Sequence, residues 1–289
     1  MSNHAETKES AKKTIVLALP HFLDMFGSYY AMEIMKGVGK AIENYPYDLQ
    51  LHIFDAVMEE EAIKEHLTAV TRLGGVLFAD IDGNRKIINM VRKNKIPYII
   101  MNNIFDDNET NYAGIDNKVS AKEAVQYLID LGHKKIATIT GNPKTQSAIM
   151  RLEGYKDALR DNKIQENPEY IVNGAYNREK AQEAMVKLIN EKPRPTAIFA
   201  ASDLMAFGAI MMALKEDVKV PEEISIMGFD NSPLAALGHV TITTVSQPLA
   251  EIGMVSAKAL IDIIEGNIKQ PFQQILKTTL IMGSSCRKV

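Results

Sequence analysis

The sequence contains a single cysteine, Cys286, in a chain of 289 residues. One cysteine cannot form an internal disulfide, and it cannot build a zinc site that needs several cysteines. Tryptophan is absent, and 33 Lys and Arg stand against 36 Asp and Glu, which gives a formal net charge of −3. Dedicated nucleic-acid binders usually carry a basic excess, so this composition argues against a DNA-binding surface within the chain.

Long apolar runs and a secretion signal are also missing. No run approaches the roughly 20 apolar residues of a membrane-spanning helix. Residues 1–13 are polar and lack the charged-then-apolar layout of a signal peptide. We therefore expect a cytoplasmic protein with no membrane partner, in which residues 1–12 form a disordered tail. A chain of this length has room for about two domains with sizeable cores.

The sequence does contain a regular alternation of short β-branched runs with longer amphipathic stretches. The predicted strands cover residues 14–19, 49–54, 75–79, 97–101, 112–115, 136–140, 171–172, 196–200, 224–229 and 243–245, with at least one more in 272–285. The predicted helices cover residues 28–43, 58–70, 85–93, 120–131, 147–160, 178–189, 204–215 and 250–264. Strands that alternate with helices are typical of βαβ units, so the pattern predicts an α/β protein with two doubly wound parallel-sheet lobes.

Polar side chains follow five of the predicted strands. They are Asp55, Asp80, Asn102 with Asn103, Ser202 with Asp203, and Asp230 with Asn231. In open α/β sheets, ligands bind at the carboxyl ends of the strands. Asp and Asn are also ordinary helix caps, so each residue alone has a structural alternative. Together they predict a polar cleft that suits the hydroxyl groups of a sugar or a similar ligand.

Aromatic residues and one arginine add to this prediction. The aromatic residues are Phe22, Phe26, Tyr29 and Tyr30, which follow the first strand, and Tyr176. A flat ring can stack on the apolar face of a sugar, although Phe22 and Phe26 could equally be core residues. Arg151 lies one turn after Ser147 on the same face of a predicted helix, from which its planar guanidinium could reach a cleft. A solvated surface arginine is the alternative.

Signatures of catalysis are missing from the sequence. There is no phosphate loop of the Gly-x-x-x-x-Gly-Lys-Ser/Thr type and no Gly-x-Ser-x-Gly elbow. Gly37 and Gly39 lie inside a helical pattern, which argues against a dinucleotide fingerprint. The six histidines are scattered, and none forms a His-x-x-x-His pair. We therefore predict no enzyme, no catalytic residue, no metal and no cofactor.

Five sequence blocks resemble a known family. The blocks are Leu131-Gly-His-Lys-Lys-Ile-Ala137, Arg151-Leu-Glu-Gly-Tyr155 with Ser147, Pro195-Thr-Ala-Ile-Phe-Ala-Ala-Ser-Asp-Leu-Met-Ala-Phe-Gly-Ala209, Val220-Pro-Glu-Glu-Ile-Ser-Ile-Met-Gly-Phe-Asp-Asn231 and Ile242-Thr-Thr-Val-Ser-Gln-Pro248. In this order they resemble the effector-binding core of the lactose-repressor/galactose-repressor family of bacterial transcription regulators, from about Lys13 to Ser285.

The resemblance implies a fold and a division into lobes. The family fold consists of two periplasmic-binding-protein-like lobes of type I, joined by three crossings, with the effector between them. We expect residues 13–141 with 248–269 in the N-terminal lobe, and residues 142–247 with 270–289 in the C-terminal lobe.

The resemblance also implies a set of effector contacts. They are Asn102, Ser147, Arg151, Tyr176, Ser202, Asp230 and Gln247. Asp24, Phe26 and Tyr30 carry over less directly because the first loop is longer than is usual in the family, and Asp80 is added by its place at a strand end. Ser202 stands where asparagine is commoner, so the effector could differ from common hexoses.

The function implied by the resemblance is that of a ligand-sensing domain, which binds a small-molecule effector of the carbohydrate class and acts by lobe closure in a homodimer. Residues 84–94 and 221–223 are candidate surfaces through which two copies pair.

Operator DNA is expected as a partner only through a helix-turn-helix head, which the residues before Thr14 are too few to form. A free-standing solute-binding protein of a transport system is the alternative. We expect Arg151→Ala to weaken effector binding with little effect on folding.

Overall fold

The computed structural model describes residues 12–20, 28–54, 60–81 and 85–289. The helices are α1 (Tyr29–Ile42), α2 (Glu60–Thr68), α3 (Arg85–Lys93), α4 (Asn117–Asp130), α5 (Gln146–Asp161), α6 (Arg178–Asn190), α7 (Asp203–Lys215) and α8 (Leu249–Glu265). The strands are β1 (Lys13–Pro20), β2 (Tyr47–Phe54), β3 (Leu73–Ala79), β4 (Tyr98–Met101), β5 (Tyr112–Ile115), β6 (Ile136–Thr140), β7 (Ile171–Asn173), β8 (Ala197–Ala200), β9 (Ser225–Asp230), β10 (Thr243–Ser246), β11 (Gln273–Leu276) and β12 (Thr279–Ile281). None of the helices in these ranges is both long and apolar enough to cross a bilayer.

The chain forms two compact units, and each has its own sheet. The first unit comprises the described residues up to Met101, then Phe105–Ala113 and Leu249–Gln273. Its sheet has the order β11-β5-β4-β3-β1-β2, with parallel pairing from β5 through to β2. Helices α1 and α8 pack so closely that a Cβ atom on Gly37 would overlap the Ala250 backbone, which explains why a glycine is needed inside α1.

The second unit comprises Asn102–Ile104, Gly114–Pro248 and Gln274–Val289. Its sheet has the order β12-β10-β9-β8-β6-β7, parallel except for β12, which runs antiparallel to β10. The inward residues of α6 and α7 pack on this sheet and form an apolar core. The α/β architecture with two predominantly parallel sheets confirms the predicted fold class.

Residues 114–141 lie in the second unit, whereas the expected lobe boundaries place them in the first. The reason is that β6 is hydrogen bonded between β7 and β8, and α4 packs along α5. The chain therefore passes from the first unit to the second within β5, well before the crossing that was expected near residue 141.

Candidate functional site

The polar centre of the second unit is Arg151, which projects from α5 and is only 4% exposed. Its Nε donates a hydrogen bond to Asn117 Oδ1 at 2.8 Å, and its Nη1 donates to the Ala201 carbonyl at 2.6 Å. Nη1 also lies 3.6 Å from Asp230 Oδ1. These contacts join α5 to the first turn of α4 and to the carboxyl ends of β8 and β9.

The guanidinium of Arg151 also lies on an aromatic ring. Its central carbon is 3.7 Å from the centroid of Phe229, the residue directly before Asp230. A desolvated contact of this kind stabilises by up to about 2 kcal/mol. Arg151 is therefore held by the protein itself. The alternative of a solvated surface arginine is wrong, and so is the basis for expecting little effect of Arg151→Ala on folding.

Two carboxylates that interact with each other, Asp230 and Asp203, lie in different surroundings. Asp230 ends β9 with φ 121°, and its Oδ1 accepts a 2.7 Å hydrogen bond from Gln247 Nε2. Burial raises the pKa of Asp230, and the positive charge of Arg151 opposes this shift. Because the Asp230 side chain is partly exposed, it is the member of the pair that a ligand can reach.

The second carboxylate, Asp203, is fully buried at the start of α7. It accepts hydrogen bonds from the Ser232 backbone N–H at 2.7 Å and from Thr244 Oγ1 at 2.6 Å. A Cβ atom on Gly228 would overlap its Oδ1, so glycine is required at that point of β9. Burial, followed by the negative charge of Asp230, raises the pKa of Asp203 to about 7. Asp203 ties β10 to the loop after β9.

Tyr176 and Ser147 form the next part of the cluster. The Tyr176 hydroxyl lies 3.0 Å from Ser147 Oγ, and a Cβ atom on Gly141 would overlap the tyrosine ring. The backbone of Tyr176 is in the left-handed region, with φ 55°, which an L-residue with a side chain seldom adopts. Burial raises the pKa of the Tyr176 hydroxyl. Strained backbone of this type is typical of functional loops.

Ser202 has a structural contact of its own. It is the N-cap of α7, and its Oγ accepts a hydrogen bond from Met205 N at 3.3 Å. Its hydroxyl proton remains able to donate, because a hydroxyl both accepts and donates.

Two buried amide oxygens have no donor within the described ranges. They are Asn102 Oδ1 and Gln247 Oε1. Asn102 has φ 64°, and the approach of its backbone to Gly114 leaves little room for a Cβ atom there. A buried acceptor without a donor costs about 1–3 kcal/mol, so both oxygens are suited to receive hydrogen bonds from a ligand.

The structure thus places seven of the sequence-predicted residues in the second unit, namely Asn102, Ser147, Arg151, Tyr176, Ser202, Asp230 and Gln247. Tyr30, near the start of α1, and Asp80, which follows β3 with φ 65°, belong to the first unit. Asp24 and Phe26 fall outside the described residues, as do Phe22 and Asp55.

Sequence reasoning missed Asn117, Phe229 and Thr244, which hold the charged groups in place. Phe229 had a usable signal, since it directly precedes a strand-end aspartate. Asn117 had only a weak one: it follows Asp116, whose side chain caps α4. Nothing local in the sequence indicates that an amide at that position contacts an arginine 34 residues later.

The chain is similar to known proteins over most of its length. The family described as the periplasmic binding protein-like domain matches residues 125–286. The HTH-type transcriptional repressor CytR of Escherichia coli strain K12 is 31% identical over 283 residues, covering 97% of this chain and 81% of the repressor. Catabolite control protein A of Priestia megaterium is 31% identical, covering 82% of this chain and 71% of that protein.

A solved structure described as a transcriptional regulator CelR–cellobiose complex is also similar. It superposes with a TM-score of 0.87 at 27% identity, covering 95% of this chain and 86% of that chain. The similarity extends over both units, since the matched share of the chain exceeds either unit alone.

Proposed function

The chain belongs to the lactose-repressor/galactose-repressor family of transcription regulators, and from this we propose that it senses a sugar or sugar-like effector. The relatives are named as transcription regulators, which supports a binding function without catalysis. The effector contacts of the proposal are Asn102, Ser147, Arg151, Tyr176, Ser202, Asp230 and Gln247, with Tyr30 and Asp80 as further members from the first unit and Asp24 and Phe26 outside the described residues.

The observation that carries the proposal is the pair of buried amide oxygens without donors, Asn102 Oδ1 and Gln247 Oε1. The partly exposed carboxylate of Asp230 adds a third acceptor. A ligand that presents several hydroxyl groups would satisfy all three, because each hydroxyl can donate one hydrogen bond.

The comparison with the cellobiose complex supports the same chemical class. The similar regulator is described in complex with a sugar, and the similarity spans nearly the whole of the present chain. We propose a carbohydrate effector on this basis, without assigning a particular sugar. Ser202 already caps α7 through its oxygen, so it would serve the effector as a hydrogen-bond donor.

The proposed mechanism is a population shift in a homodimer. An effector that binds one arrangement of the two lobes more tightly raises the population of that arrangement, and a head of the helix-turn-helix type passes the change to operator DNA.

The surface through which two copies pair is a separate question. The expected pairing helix α3 exposes charged residues, mainly Arg85, Lys86 and Lys93. Two apolar rows are better candidates for self-pairing, and both are exposed: Leu49, Leu51 and Ile53 on the edge strand β2, and Leu204, Met211 and Leu214 on α7.

The test is calorimetric titration of the protein with D-ribose, D-glucose, D-galactose and cellobiose, each alone. Binding of at least one sugar is expected, and Gln247→Ala should weaken it by about tenfold, or about 1.4 kcal/mol. Gln126→Ala is the matched control, because Gln126 also forms side-chain hydrogen bonds but lies on α4 away from Arg151. Absence of binding for the whole panel, or equal affinity of Gln247→Ala and wild type, would contradict the proposal.

A further inference from the structure

Asn117 is the first residue of α4, and it is 5% exposed. Its Oδ1 accepts the 2.8 Å hydrogen bond from Arg151 Nε. We infer that Asn117 is a positioning residue of the effector site, which acts on the effector only through the orientation of Arg151. This inference rests on the proposed function, since Arg151 is one of its effector contacts.

Three protein groups fix the plane of the Arg151 guanidinium. The Ala201 carbonyl binds Nη1, the Phe229 ring supports the flat face, and Asn117 holds the Nε edge. Within the part of the chain that the structure describes, no residue accepts a hydrogen bond from Nη2, so its two protons remain for an effector. Without Asn117, the guanidinium can turn about its contact with Ala201, and Nη2 is no longer held in one direction.

The residue type at position 117 also suits the local charge. Arg151 already has one carboxylate beside it, since its Nη1 lies 3.6 Å from Asp230 Oδ1. A neutral amide oxygen accepts the Nε hydrogen bond without adding a second negative charge. The amide therefore orients the arginine while leaving its charge available to Asp230 and to an effector.

Two substitutions separate the acceptor from the bulk of the side chain. Asn117→Ala removes the acceptor, and the affinity for the tightest-binding sugar among ribose, glucose, galactose and cellobiose should fall by about tenfold, which corresponds to about 1.4 kcal/mol. Asn117→Asp keeps an oxygen acceptor at the same place but adds a negative charge beside Arg151, so it should recover only part of the affinity that Asn117→Ala loses.

Asn162→Ala is the matched control. Asn162 also joins α4 to α5, since its Nδ2 donates to Gln126 Oε1 and to the Ala158 carbonyl, but it lies at the opposite end of α5 from Arg151. This variant should bind the same sugar with wild-type affinity. A loss equal to that of Asn117→Ala would mean that loosening of the helix pair, rather than orientation of Arg151, lowers the affinity.

A double-mutant cycle tests whether Asn117 acts through Arg151. Lysine has no Nε–H in the place of arginine, so Asn117→Ala should cause no further loss of affinity in an Arg151→Lys background. Residues that act independently give additive losses in such a cycle. Additive losses would therefore overturn the inference.

A second measurement needs no effector. In protein labelled with ¹⁵N-arginine, the Nε–H signal of Arg151 is assigned by its loss in Arg151→Lys. It should exchange slowly with water in wild type and Asn117→Asp, and become fast or broadened in Asn117→Ala. An unchanged signal in Asn117→Ala refutes the inference. If no sugar of the panel binds, the proposed function fails, and this signal still decides whether Asn117 holds Arg151.

Discussion

Replacement of Arg151 by alanine should destabilise the protein even when no effector is present. The substitution removes a side chain that is 4% exposed and has protein partners on three sides. It leaves Asn117 Oδ1 and the Ala201 carbonyl without their donor in a buried site. It also leaves Asp230 without the positive charge that opposes the upward shift of its pKa.

The size of the effect follows from these three losses. A buried acceptor that loses its donor costs about 1–3 kcal/mol, and the substitution leaves two such acceptors, Asn117 Oδ1 and the Ala201 carbonyl. Asp230 can regain some hydration because its side chain is partly exposed, so its share is smaller than for a fully buried charge. Removal of one partner from a buried ion pair typically costs about 3–5 kcal/mol, and we expect Arg151→Ala to fall in that range.

The assay is thermal and urea unfolding of the effector-free protein. A loss of 3–5 kcal/mol, at about 2–4 °C for each kcal/mol, lowers the melting temperature by about 10 °C. Arg151→Lys retains the charge but loses the planar fork, and it should lie between Arg151→Ala and wild type. Arg160→Ala is the control on the same helix, because Arg160 is exposed and its ion pair with Asp157 is worth less than about 1 kcal/mol.

The result that refutes this reasoning is a melting temperature of Arg151→Ala equal to that of Arg160→Ala. It would mean that the hydrogen bonds and the ring contact of Arg151 add nothing to stability, and that the arginine serves the ligand alone.

Two further outcomes are expected. The pKa of Asp203 is raised to about 7 in the folded state, so between about pH 4 and pH 7 the folded state keeps a proton that the unfolded state has released. The stabilising contribution of Asp203 is therefore complete below about pH 4 and is lost as the pH rises through about 7. Urea unfolding of Asp203→Asn at several pH values should therefore show a smaller decline with pH than wild type, and parallel curves would contradict this. Gly141→Ala should displace the Tyr176 ring and destabilise by about 1–3 kcal/mol, whereas Gly39→Ala, which meets no atom within 4 Å inside α1, should stabilise by up to about 1 kcal/mol. Equal melting temperatures for the two variants would argue against a close contact at Gly141.

Local signals in the sequence predict the helices and strands well. Apolar spacing predicts a helix at residues 28–43, and the structure has α1 from Tyr29 to Ile42, with the Ser28 side chain as its cap, which accepts a hydrogen bond from Ala31 N. The helix predicted at residues 85–93 has the same bounds as α3. Caps and helical periodicity lie within a few residues of the feature they define, which explains why they can be read without a structure.

Non-local contacts were not predictable in the same way. The sequence predicts β6 as a strand, but its neighbours β7 and β8 begin 35 and 61 residues after Ile136, and no local pattern specifies a sheet partner. Arg151 was recognised as a candidate contact, yet its burial depends on Asn117 and Ala201, which are 34 and 50 residues away. The polar strand ends were predictable because their position depends on topology alone, whereas their partners depend on packing.

The hydrogen bonds of Ser202 and Arg151 have a consequence for the evolution of ligand preference. Ser202 caps α7, and Arg151 contacts Asn117, Ala201 and Phe229. A substitution that alters effector recognition at either residue therefore also alters the stability of the fold. The Gln247 amide also has a structural contact, because its Nε2 donates to Asp230, whereas the side-chain oxygen of Asn102 has no donor among the described residues. On the proposed function, a lineage that acquires a new effector, or a designer who builds a biosensor from this scaffold, has most freedom at Asn102.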